Sequence, residues 1–482
     1  MTDKLDELSL DPDDWSATRA LGHRMLDDLF DDLERVRTRP VWQRLPDSAK
    51  ASLSVPLPRD PQPLESVYAE FRENVEPYAL GNRHPKFWGW VIGGGTPVGV
   101  LGDMLASAMN TNAGGFEQSS AYVEKQVVDW FKEAFAFPPE STGLLVTSGS
   151  AANLTGLTVG RDAILGNSVE QGIGGRNVTM YASEQVHNSV DKAMGILGLG
   201  RSSLRKIRTK PDFSMDVDHL REQIAADKSA GATPTVVIAT AGTVATGAID
   251  NISDIADICA REKLWLHVDG AFGAMAALSD DLRPLVDGLE RADSVAFDLH
   301  KWFSVNYDAG CVLVRNPEAH MQSFSIKASY LAALPGGVAV GGYLFSDLGI
   351  DLSRGFRALK AWMSIKTYGF DRYARMVEKN VAQARYLASL VESNEDLELV
   401  APVPLNVVCF RYVAPGLATE QLDKVNENIL VRLQEDGLAV PSGVRVGGKF
   451  ALRVANVNHR SRKSDFDELV RDVVRIGGEL IR

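Results

Sequence analysis

The 482-residue sequence predicts an α/β protein built around a mostly parallel sheet, and two observations carry that prediction. First, from about residue 95 to 320, short β-branched runs alternate with helical stretches, the pattern of a sheet whose strands are joined by crossover helices. Second, the strand candidates are near-continuous apolar runs, as expected when helices cover both sheet faces. They are Leu144–Thr147, Val178–Tyr181, Val236–Ala239, Trp265–Val268, Ser294–Phe297 and Cys311–Val314.

Flanking segments have other patterns. Residues 12–37 read as an amphipathic helix, with Leu21, Met25, Leu26, Leu29 and Leu33 at helical spacing. A segment punctuated by Pro40, Pro46, Pro56, Pro58, Pro61 and Pro63 follows, extended or turned and not one helix. This N-terminal arm cannot bury its own apolar face, so it is expected to pack on another surface, such as a second subunit. Residues 355–393 read as long helices. Residues 400–482 mix two strand candidates (406–411 and 450–454) with a helix over 419–436 and a final helix, a small α+β unit. The expected division is 1–94 (helical arm and linker), 95–375 (large α/β domain) and 376–482 (small C-terminal domain).

Composition narrows the function classes. The net charge is −12, and no basic stripe suited to a phosphate backbone is visible, so nucleic acid is not an expected partner. The short basic run Arg201–Lys206 reads as a solvated loop or helix end. Cys259, Cys311 and Cys409 have neither metal-ligand nor redox spacing and sit in apolar surroundings, which suits reduced core thiols. The acidic, polar start is no secretory signal, and no apolar run approaches transmembrane length. A cytoplasmic protein with no metal and no membrane partner is expected.

In a sheet of this class, ligands sit beyond the carboxyl ends of the strands, and four of those ends are chemically suggestive. Ser148-Gly149-Ser150-Ala151-Ala152-Asn153 opens a helix with small residues, a place where backbone N–H groups can hold a phosphate. Alone it reads better as a plain strand-to-helix turn, since no Walker lysine follows. His187 starts a helix after the second run; a lone histidine there is more often structural. Asp269 ends a buried strand, where a carboxylate is costly unless it meets a cation or a strong donor. Lys301 follows an apolar strand and precedes Trp302-Phe303; a desolvated lysine can form an imine. Together they suit one ligand with a phosphate, a flat ring, a protonated ring nitrogen and an aldehyde joined to lysine. That ligand is pyridoxal 5'-phosphate.

The segments Leu266-His267-Val268-Asp269-Gly270-Ala271, His300-Lys301-Trp302, Phe356–Trp362 and Val408–Arg411 resemble those of pyridoxal-dependent decarboxylases, including the aromatic-L-amino-acid and glutamate decarboxylases. The resemblance runs from about residue 65 to the C-terminus. It implies a fold-type I enzyme with a seven-stranded-type sheet, pyridoxal phosphate as cofactor, and a homodimer with active sites near the subunit interface. By position it implies that Lys301 holds the cofactor, Asp269 binds the pyridine N–H, His187 stacks on one ring face and Ala271 packs on the other. Ser150 and Ala151 match phosphate-binding positions with His300 close by, and Thr243 matches a residue near the phenolic oxygen. Tyr330 matches the loop tyrosine that returns a proton to Cα, and glycine pairs at 336–337 and 341–342 would let such a loop move.

The implied reaction is decarboxylation of an L-amino acid to its amine and carbon dioxide, with an aromatic substrate favoured. Trp90 and Phe116 could line an apolar substrate pocket, Phe116 from the partner subunit. The segment Val91-Ile92-Gly93 departs from the aromatic, proline and threonine usual in aromatic decarboxylases, and Asp298 stands where many relatives have asparagine. A branched aliphatic, acidic or diamino substrate therefore stays open, with Arg83 and Lys86 the nearest cations that could select an acid. So do an aldehyde synthase or aminotransferase-like outcome and a non-enzymatic cofactor-binding protein.

Overall fold

A computed structural model describes residues 9–166, 168–326, 337–338 and 344–482. Its centre is a seven-stranded sheet of β1 (Thr142–Val146), β2 (Val178–Ser183), β3 (Leu204–Ile207), β4 (Thr233–Thr240), β5 (Trp265–Asp269), β6 (Ser294–Asp298) and β7 (Gly310–Val314). The spatial order is β1-β7-β6-β5-β4-β2-β3. β2 to β6 pair in parallel, and β7 alone runs antiparallel to its neighbours β1 and β6.

Side chains on these strands alternate between two helical layers, as the period of a strand requires. In β4, Val236 and Ile238 pack with the layer containing the helix Gly149–Leu165, whereas Val237 and Ala239 face the layer with helices Ser119–Ala134 and Ile252–Glu262. In β5, Trp265 belongs to the first layer and Leu266 and Val268 to the second. His267 and Asp269 therefore share the Trp265 side and face the helix Gly149–Leu165.

The basic run read as a solvated loop or helix end is a correction: only Arg201–Ser203 is a helical turn, and Leu204–Ile207 is the edge strand β3. Leu204 and Ile207 are buried at its ends, while Arg205 pairs with Asp227 and Lys206 with Asp191. The charges that suggested solvent belong to an edge strand, where charged residues discourage further pairing.

A second, antiparallel sheet holds β8 (Leu397–Leu399), β9 (Val407–Tyr412), β10 (Ser442–Val446) and β11 (Lys449–Ala455) in the order β10-β11-β9-β8. Helices Thr419–Glu435 and Lys463–Leu480 accompany it. The long helix Phe370–Glu392 runs without a break through position 375 and contributes to the cores of both sheets. At the N-terminus, Trp15–Glu34 is the expected helix. Two shorter helices, Asp47–Ser52 and Leu64–Asn74, begin directly after Pro46 and Pro63.

The Glu124–Arg354 ion pair ties the segment after residue 344 to the main sheet. It is almost fully buried, and the Arg354 guanidinium also donates to the carbonyls of Ala113 and Leu145.

Candidate active site

The sequence-predicted strand ends converge on one edge of the large sheet. Lys301 lies in the turn after β6, and its Nζ is 2.9 Å from Asp298 Oδ2. Asp298 is 1% exposed, and its Oδ1 has no hydrogen-bond partner among the described residues. It abuts the start of the helix Gly149–Leu165: a Cβ on Gly149 would lie 2.6 Å from Asp298 Oδ2. Glycine at 149 is thus required by close approach of helix and carboxylate.

Asp269 ends β5 and is buried. Its Oδ2 accepts from Asn153 Nδ2 at 3.0 Å and its Oδ1 from the Ala271 N–H at 3.2 Å. Among the described residues no lysine, arginine or histidine forms an ion pair with it. A carboxylate taken out of water and held only by neutral donors is costly, and a cationic aromatic nitrogen is the kind of partner it lacks among the described residues.

His187 is the N-cap of the helix Asn188–Ile196. Burial lowers the pKa of its imidazole; Asp269 opposes that shift and Lys301 adds to it. Both Asp269 and Lys301 therefore lie close enough to His187 to act on its charge. Ser148 caps the helix Gly149–Leu165 by accepting from the Ala151 N–H at 3.3 Å. Ser150 is exposed and Ala151 half-buried in the helix's first turn, where the helix dipole favours a phosphate, although the Ala151 N–H is already on Ser148.

Two predicted residues already have partners within the fold. Thr243 has no exposed surface, and its hydroxyl meets Thr246 Oγ1 at 3.1 Å and accepts from the Ala248 N–H at 3.1 Å. His300 is buried; its Nδ1 accepts from the Ala309 N–H, its ring lies 4.3 Å from that of Tyr307, and its Nε2 is 3.8 Å from Oδ1 of Asp298, the partner of Lys301. Burial lowers its pKa, so it is neutral near pH 7. Tyr330 lies outside the described residues, as do Gly336, Gly341 and Gly342.

The segment around Trp90 reaches this edge through Gly93, where a Cβ would collide with the carbonyl oxygens of His300 and Lys301. Trp88, by contrast, is a core residue stacked on Phe466. Trp90 is half exposed, and among the described residues its ring neighbour is Phe87 at 6.2 Å, not Phe116. Phe116 is half-buried in a left-handed conformation, φ 71°.

Sequence reasoning gave no role to Asn153, and it treated Asp298 only as a departure from asparagine. It also passed over Arg453. That arginine donates to the carbonyls of Trp90 and Ala245, is 3% exposed, and has an Nη2 with no hydrogen-bond partner among the described residues. An arginine within the apolar strand Phe450–Val454 was the available signal.

Comparison with known proteins agrees with this geometry. Residues 46–413 match the model of the pyridoxal-dependent decarboxylase conserved domain. An aromatic-L-amino-acid decarboxylase of Bacillus atrophaeus is 32% identical over 470 residues, 96% of each chain. A phenylacetaldehyde synthase of a Rosa hybrid cultivar is 28% identical over 93% of this chain and 90% of its own. The crystal structure of Oryza sativa TDC with PLP and tryptamine superposes with a TM-score of 0.91 at 28% identity, covering 98% of this chain and all of that one. The chain belongs to the pyridoxal-dependent decarboxylase family, and pyridoxal phosphate is its cofactor.

Proposed function

We propose that this protein converts an aromatic L-amino acid to its amine and carbon dioxide. The observation that carries the reading is the buried Asp269 carboxylate, without a cationic partner among the described residues, at the same sheet edge as the Lys301 amine. Pyridoxal phosphate, when bound, supplies a cationic ring that takes up the electron pair left on Cα as carbon dioxide departs.

The residues have distinct tasks in this proposal. Lys301 offers the amine that holds the cofactor, and Asp269 keeps the ring nitrogen protonated. His187 covers one ring face, and Ala271, whose N–H fixes Asp269, covers the other. Ser150 and Ala151 present the helix N-terminus to the phosphate. Thr243, with its hydroxyl already engaged, shapes the turn after β4, and His300 supports the Lys301 turn. Tyr330 returns a proton to Cα. Trp90 and a partner's Phe116 line an apolar substrate pocket and exclude water from it.

Aromatic specificity is supported by relatives named for aromatic, tryptophan and tyrosine decarboxylation. The homodimer is supported by Leu64, Val67, Phe71 and Val75, which recur at helical spacing and all stand exposed. Single apolar residues on a surface are ordinary; a row of this kind calls for a covering surface. No helix among the described residues is long and apolar enough to cross a membrane; a cytoplasmic location is part of the proposal.

The test is product analysis across the aromatic, branched, acidic and diamino acids. Amine and carbon dioxide in equal amounts from an aromatic acid, lost in Lys301→Ala, support the reading. Aldehyde, ammonia and hydrogen peroxide from the unaltered protein would instead support the synthase outcome represented by the Rosa relative.

A further inference from the structure

Behind Asp269 lies a run of buried polar side chains to which the reaction assigns no role. Asn153, on the helix Gly149–Leu165, reaches Asp269 Oδ2 with Nδ2 at 3.0 Å and His267 Nε2 with Oδ1 at 2.9 Å. His267 Nδ1 is 2.8 Å from Ser294 Oγ, which also accepts from the Trp265 indole N–H at 2.8 Å. Asn153 Nδ2 is further 3.1 Å from Ser189 Oγ, and that hydroxyl is 2.8 Å from His187 Nδ1. Asn153, Ser189, His267 and Ser294 are all at most 4% exposed.

Chain geometry explains the assembly. His267 and Asp269 are two residues apart on β5 and face one helix, while Ser294 stands beside His267 in register on β6. Gly156, one turn beyond Asn153, makes room for the imidazole: a Cβ there would sit 2.6 Å from His267 Nδ1.

Every proton in this run has one place to go. The Asp269 carboxylate only accepts, so Asn153 must turn its NH2 towards it and its oxygen towards His267. His267 Nε2 must then donate. Burial pulls the His267 pKa down to about 4, so the ring carries one proton and Nδ1 accepts from the Ser294 hydroxyl. At the far end, the Trp265 indole can only donate. On the other branch the Ser189 N–H donates to His187 Nδ1 at 3.2 Å, which leaves the single proton of a neutral His187 on Nε2.

We infer that Asn153 is a positioning residue that joins the ring-nitrogen partner Asp269 and the ring-face residue His187 to one directed hydrogen-bond relay starting at Trp265. The relay holds Asp269 as an oriented anion and fixes the tautomer of His187. This inference rests on the proposed function, because it assumes that Asp269 meets the cofactor's ring nitrogen.

The test uses holoenzyme reconstituted with coenzyme carrying ¹⁵N in its ring, and follows ring-nitrogen protonation against pH by NMR. In Asn153→Ala the midpoint falls by about one pH unit or more, equivalent to a tenfold weaker hold on the ring proton. Ser294→Ala touches neither Asp269 nor the ring; it lowers the midpoint in the same direction by less, and it serves if the first variant does not fold. Imidazole ¹⁵N signals of the unaltered holoenzyme show the Nε2–H form at both His187 and His267. An unmoved midpoint in Asn153→Ala or Ser294→Ala overturns the relay, as does an Nδ1–H form at either histidine. Asp269→Asn separates the two claims: if it too leaves the ring nitrogen protonated, the assignment of Asp269 fails, whereas if it alone deprotonates the ring, only the relay fails.

Discussion

Deleting the Lys301 amine should destabilise the cofactor-free protein, and the size of the effect follows from Asp298. Nζ and Oδ2 are 2.9 Å apart. At an effective dielectric of about 20, two unit charges at that separation attract by about 6 kcal/mol. The Lys301 side chain is 22% exposed and the Asp298 side chain 1%, so water offsets part of the lysine's charge but little of the aspartate's. Removing one member of a buried pair costs about 3–5 kcal/mol, and the exposure of Lys301 places Lys301→Ala near 3. Asp298→Asn costs less, because an ammonium left alone can turn to water. The double variant, with no stranded charge, recovers most of the loss. Denaturant unfolding of the four cofactor-stripped proteins at one concentration, followed by tryptophan fluorescence, gives the coupling energy. If Lys301→Ala unfolds at the wild-type midpoint, or the double variant is no more stable than Lys301→Ala, the buried pair does not contribute as argued.

Three further outcomes are expected. Burial holds His84, His267, His320 and His459 neutral, each with a pKa of about 4, while it raises Asp250 to about 6. Below the unfolded histidine value of about 6.5 the unfolded chain binds more protons, so stability is full above that pH and falls towards about pH 4. Asp250 offsets part of this near pH 5; a flat denaturant midpoint between about pH 7 and 5 would contradict this. Cys259, Cys311 and Cys409 are buried, and burial raises all three thiol pKa values, Cys409 to about 12. A thiol reagent should label none in the folded protein and all three after unfolding, and rapid labelling of folded protein would show that the burial is wrong. Trp90→Ala should reduce kcat/KM for an aromatic substrate about tenfold or more, the worth of burying one large apolar group, with little change for a small aliphatic acid; equal losses for both would remove Trp90 from the pocket.

Much of the fold was legible because burial leaves a pattern in the sequence. Six strands of the large sheet are apolar runs. The seventh, β3, escaped because only Leu204 and Ile207 are buried, while Arg205 and Lys206 between them are charged and pair with Asp227 and Asp191. Helices Asp47–Ser52 and Leu64–Asn74 were hidden by prolines that start helices as readily as they break them.

At the site, Lys301, Asp269 and His187 stood out because charged or titratable groups at the ends of buried strands need a reason. Asn153 did not, since an asparagine in the first turns of a helix has many ordinary explanations. Its two key partners lie 114 and 116 residues further along the chain, and only the packing of the helix Gly149–Leu165 on β5 brings them together. The partnership of Asp298 with Lys301 depends in the same way on the shape of one turn, which three residues of spacing alone do not specify.

The central claim is that one lysine amine, next to one buried carboxylate site, holds the cofactor covalently. Protein mixed with pyridoxal phosphate, reduced with borohydride and digested should yield a single cofactor-modified peptide, the one containing Lys301. Modification at a different lysine, or the same yield of modified peptide from Lys301→Ala, would contradict it.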